Sequence, residues 1–81
     1  MSNETKKEIQ EIRKIIDVAA IAIPKERDAR KMYLAAAAQA PGDLSRKIFE
    51  ELAAQEEQHA ARLQGLIAML EARLEELEAG K

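Results

Sequence analysis

Ala40-Pro41-Gly42-Asp43 separates two long helical patterns, and its reading decides the fold. Pro41 lacks the amide hydrogen that a continuing helix needs. Gly42 tolerates a left-handed backbone, and Asp43 is a good residue to cap a new helix. Before this break, positions spaced alternately by three and four read Ile12, Ile15, Ala19, Ala22, Glu26, Ala29, Tyr33, Ala36 and Ala40. After it the corresponding series is Phe49, Leu52, Glu56, His59, Leu63, Leu66 and Leu70. Both have the period of an amphipathic helix. A connection this short makes consecutive helices antiparallel neighbours, so the expected fold is all-α, an antiparallel two-helix hairpin. The second helix is expected from about Leu44 to about Glu78, ending near Gly80. Pro24 removes one helical hydrogen bond, which predicts a first helix kinked or split there, with segments of about 4–22 and 24–40. Ser2-Asn3-Glu4-Thr5 is expected to fray.

Composition agrees and narrows the function. Residues 1–81 make a single small domain, short of material for a core of its own. Alanine, leucine, glutamate, lysine and arginine dominate, and Tyr33 and Phe49 are the only aromatic residues. That is a helix former's alphabet. A net charge of −2 with both signs interspersed gives no sign of a nucleic-acid surface. The absence of cysteine excludes disulfides, thiolate zinc sites, iron–sulfur clusters and rubredoxin-type iron. No run of 18 apolar residues suggests a membrane span, and the N-terminal residues do not read as a secretory signal. A soluble, cytoplasmic protein without a membrane partner is expected.

Each stripe carries charge where apolar residues belong. Glu26 is the only charged member of the first; Glu56 and His59 interrupt the second. An unpaired buried charge costs several kcal/mol, roughly, so such residues pair or bind a metal. The spacing Glu56-x-x-His59 puts both side chains on one helical face, about one turn apart. By itself this is weak, because 12 of 81 residues are glutamate. Cross-hairpin position strengthens it. With the turn centred between Pro41 and Gly42, Glu26 lies level with residue 57, between Glu56 and His59. The charge on one stripe thus meets the two polar residues on the other, and Glu26, Glu56 and His59 become the expected metal ligands.

One hairpin also leaves one side of its seam open to water. Two hairpins packed face to face about a twofold axis would close it as a four-helix bundle. The homodimer, or a larger assembly of dimers, would bring together four glutamates and two histidines. Di-iron carboxylate bundles hold two metals with that set. Carboxylates are hard and able to bridge, while imidazole completes each coordination sphere. Iron suits these ligands best, with zinc or manganese as other candidates.

The residues around the three ligands carry a family resemblance. Glu26-Arg27-Asp28-Ala29-Arg30-Lys31-Met32-Tyr33 resembles the E-x-x-A-R-x-x-Y pattern of rubrerythrin-like proteins. Phe49 to Leu63 resembles their F-x-x-x-A-x-x-E-x-x-H-x-x-x-L pattern, through Phe49, Ala53, Glu56, His59 and Leu63. The likeness spans roughly Ala19 to Leu70 and is specific for the ferritin-like superfamily. It implies that Glu26 and His59 each ligate an iron while Glu56 bridges, or the reverse for the two carboxylates. It also implies a catalytic part for Tyr33 as a redox-active tyrosine or one beside the ligands. Rubrerythrins proper carry four ligand helices in one chain and a cysteine-ligated iron domain; here there is half a bundle and no cysteine. In that respect the chain is similar to encapsulated ferritins, half-ferritins that build a ferroxidase centre across a subunit interface inside an encapsulin shell. Leu74-Glu75-Glu76-Leu77-Glu78-Ala79-Gly80-Lys81 does not resemble their docking peptide.

Other residues read more plainly. Tyr33 also suits a simple core position, and Asp28, Arg30, Gln55 and Glu57 suit a solvated face. Met32 and Met69 suit core filling. Two functions follow: a di-iron ferroxidase oxidising Fe²⁺ with O₂ or peroxide for iron storage or detoxification, or a non-catalytic helical scaffold whose Glu/His site holds a structural metal.

Overall fold

The computed structural model describes residues 2–80. Helix α1 spans Asn3–Ala38 and helix α2 spans Asp43–Ala79, packed side by side as an antiparallel hairpin. No strand occurs among the described residues. None of the described helices is long and apolar enough to cross a membrane.

Three local expectations are corrected. The N-terminal residues are helical from Asn3, because the Ser2 hydroxyl accepts the Thr5 amide at 3.0 Å and lies 2.8 Å from the Thr5 hydroxyl. A serine cap of this kind stabilises a helix by about 1 kcal/mol, and Glu4 in the first turn complements the helix dipole. Helix α1 is not split at Pro24. The bond that proline deletes is the one to the Ala20 carbonyl, and both residues are exposed, so water can serve that carbonyl. Asp43 is not the cap of α2: Gly42 holds that position in an extended conformation, with no side-chain cap bond. The Gly42 carbonyl accepts the Arg46 amide, and Asp43, first in the helix, takes the Arg46 guanidinium at 2.8 Å. No described residue has a left-handed backbone, so the turn does not use the freedom glycine offers there.

The hairpin is a rod of 61 × 14 × 13 Å. Its radius of gyration, 18.3 Å, compares with about 12 Å for a compact domain of this length. Two helices lying side by side enclose little. Among the described residues only Ile9, Ile12, Ala19, Ala37, Ala53 and Ala60 are buried, and none is polar.

Those six show how the helices meet. Ile12 and Ala19 belong to the line that continues through Glu26 and Tyr33. Ile9 and Ala37 belong to a second line, with Ile16, Ile23 and Arg30 half-buried between them at seven-residue intervals. On α2, Ala53 and Ala60 lead on to half-buried Ile67 and Leu74 at the same interval. The hairpin closes along these lines. The remaining line of each stripe, Ile15-Ala22-Ala29 and Leu52-His59-Leu66, lies along an open side, where Ile15 and His59 are exposed. At the end away from the turn, Arg73 reaches Glu8 at 3.2 Å and Arg13 reaches Glu78 at 3.4 Å. Arg73 also meets Glu76, and its hydrogen bonds to Glu8 and their mutual attraction raise its pKa further. Such exposed pairs contribute about 0–1 kcal/mol each.

Candidate metal centre

Glu26 projects from α1 toward the two polar residues of α2. Its Oε2 lies 3.5 Å from His59 Nδ1, which is 4.0 Å from Glu56 Oε2. One donor atom from each of the three lies within 4.8 Å of the other two. Ligands about 2.0–2.2 Å from a shared ion stand up to about 4.4 Å apart, so small side-chain adjustments bring all three onto one ion. The sequence expectation for Glu26 required the turn to set the two helices at the right level, and the geometry meets that requirement.

The environment suits a cation. Glu26 and Glu56 side chains are 26 % and 20 % exposed, half-buried beside each other. Among the described ion pairs neither has a lysine or arginine partner; both have only His59. Two clustered carboxylates without a fixed positive partner repel each other, and a divalent cation relieves that repulsion. Two oxygen donors and one imidazole nitrogen fit iron, zinc or manganese. Three donors do not complete a coordination sphere, and the 51 % exposed His59 side chain faces the open side.

Alanine lets the ligands approach. Ala53 is 1 % exposed and Ala60 is 7 %, so the helices touch through methyl groups on either side of Glu56. The alternating stripe passes over both residues; Ala53 stands in the family pattern, and the seven-residue spacing of Ala53, Ala60, Ile67 and Leu74 marks the pair. Tyr33 is half-buried on the same line as Glu26 but lies outside the three-residue group. Arg30 turns away to pair with Glu57 at 3.5 Å, while Asp28 and Gln55 are exposed.

A helical hairpin that gathers two carboxylates and an imidazole between facing helices is the half-unit from which carboxylate–histidine metal bundles are built. The Rubrerythrin family model matches residues 17–81, which include all three donors, and the chain belongs to that family within the ferritin-like superfamily. This is a ferritin-like di-iron family whose members generally bind iron and are typically oxidoreductases. No curated protein and no solved structure gives a significant match.

Proposed function

We propose that the chain is a half-bundle ferroxidase whose metal centre is completed by a second copy. The observation that carries this reading is the meeting of Glu26, Glu56 and His59 on a hairpin with one side open. Beside His59 that open side forms an apolar groove of about 340 Å³, lined by Ile15, Val18, Ala22, Leu63 and Leu66. Val18 in that lining is 68 % exposed, and Met32 and Met69, expected to fill a core, are exposed on the lone hairpin. Burying a leucine, isoleucine or valine is worth about 1.5–3 kcal/mol, so this side favours a partner of the same chemistry. A second hairpin supplies it, and adds a second set of two carboxylates and an imidazole.

In this assembly Glu26, Glu56 and His59 of each copy would hold the iron. The substrate is Fe²⁺: each ion gives up one electron, and one O₂ takes two electrons and two protons to leave as hydrogen peroxide. Carboxylates favour the ferric product because hard anionic oxygen stabilises the higher charge. His59 would supply one nitrogen donor beside the carboxylates. Tyr33, half-buried on the Glu26 line, would tune or pass electrons near the site in this reading. Leu74 and Leu77 are half-buried in α2, so delivery to an encapsulin shell would require a docking segment other than this stretch.

The test is direct. Protein given two Fe²⁺ per dimer should consume O₂ and develop near-ultraviolet ferric-oxo absorbance, and sedimentation should show a dimer or a multiple of it. Metal binding without O₂ uptake would leave a structural-metal scaffold, and a folded monomer at micromolar concentration would end the shared-site arrangement.

A further inference from the structure

On the other side of the hairpin lies a second groove that shares no residue with the carboxylate–histidine group. It measures about 290 Å³ and is lined by Arg27, Arg30, Lys31, Glu57 and Gln64 over a floor that includes Ala60. Arg27 follows Glu26 in the chain, Glu57 follows Glu56 and Ala60 follows His59, so the two features lie back to back across the pair of helices. Three cations face one carboxylate here, in a chain whose net charge is −2. The carboxylate is committed: Glu57 pairs with Arg30 at 3.5 Å.

Arg27 and Lys31 have no partner among the described ion pairs. They stand four residues apart on one helix, where like charges repel. Free cations on a groove wall, a small apolar floor and a Gln64 amide opposite make a receptor for a compact dianion. Arginine forks favour phosphate geometry, and lysine adds a point charge.

We infer that this groove binds a phosphate group, with Arg27 and Lys31 as its main contacts and Glu57 as an internal competitor that holds Arg30 until the anion displaces it. The groove exceeds the size of a bare phosphate ion, so inorganic phosphate and a small phosphate monoester share the chemistry that fits. The site does not depend on the metal reading, since none of its residues is a proposed ligand.

The experiment titrates the metal-free full chain with inorganic phosphate and, separately, with glycerol 3-phosphate, by calorimetry and ³¹P line broadening. Saturable millimolar or tighter binding that weakens with added salt is expected. The Arg27→Gln/Lys31→Gln double variant should lose about tenfold or more in affinity while keeping its helical circular dichroism. Glu57→Gln should bind severalfold more tightly, because the competitor is gone and Arg30 is freed. His59→Ala should bind as wild type does, which separates this result from the fate of the iron site. Tighter binding of one ligand over the other separates free phosphate from a phosphate monoester as the chemistry that fits, and either result supports the site. Absence of saturable binding, an unchanged affinity in the double variant, or weaker binding by Glu57→Gln would each overturn the proposal.

Discussion

The two halves of the hairpin solve different problems. Near the open end, Ile9 and Ile12 are buried, and the Arg73–Glu8 and Arg13–Glu78 pairs tie the helices together. Toward the turn, the buried contacts are alanines alone, Ala37, Ala53 and Ala60, and the intervening space is given to two carboxylates and an imidazole. Alanine brings the helix axes close but gains little from leaving water; isoleucine gains far more. One half therefore supplies stability, and the other accepts a less stable seam for the sake of chemistry. That division is the usual cost of a functional site.

Substitutions break the comparison in a definite order. The largest effect belongs to the donors: His59→Ala and Glu26→Ala should each reduce the rate of iron oxidation by more than the roughly 10–100-fold typical of residues that only support ligands. Circular dichroism should meanwhile show helicity largely kept, and stopped-flow absorbance after Fe²⁺ mixing checks the rate. Glu26→Ala is the more searching of the two, because its place in the site comes from cross-hairpin geometry and not from a local motif. Next is Ile12→Ala, expected to cost about 2–4 kcal/mol in denaturant unfolding, because it empties the stabilising half.

Glu56→Leu should act in the opposite sense on the metal-free protein, raising stability by about 0.5–2 kcal/mol while removing iron oxidation. If that variant melted lower than wild type without metal, the repulsion argument for the site would fail. The smallest effects are expected at the clamps. Glu8→Ala should change stability by at most about 1 kcal/mol and leave iron oxidation intact. Glu71→Ala, at an exposed glutamate outside every described ion pair, should do still less.

How far the sequence carried depended on how local each determinant was. The break was legible because Pro41 acts through its own backbone, which has no amide hydrogen to continue a helix. The meeting of Glu26, Glu56 and His59 was legible because a short turn leaves little freedom in how the two helices align. The cap was misread between neighbours: Asp43 has the right side chain, but the chain leaves its extended conformation one residue earlier, at Gly42. The split at Pro24 was over-read: the proline deletes one bond, to an exposed Ala20 carbonyl, and α1 runs on through it. The alanine contacts escaped because alternating threes and fours describe a helix facing a closed bundle. A lone hairpin closes instead along Ala53 and Ala60, to one side of that stripe.

The antiparallel rod places Asn3 and Ala79 at the same end, as the Arg73–Glu8 pair next to them requires. In the proposed assembly the Asn3 and Ala79 ends of the helices therefore lie at a bundle end, well away from the metal layer. Genetically, this makes the unit ready for duplication: two copies of the coding segment joined by a short flexible stretch would encode both hairpins in one polypeptide. A tandem fusion would replace encounter between subunits with an effective concentration on the order of millimolar. Its iron oxidation should then lose the dependence on protein concentration that the separate chains show on dilution. A functional whole would have arisen from a half by copying alone, with no new residue in the site.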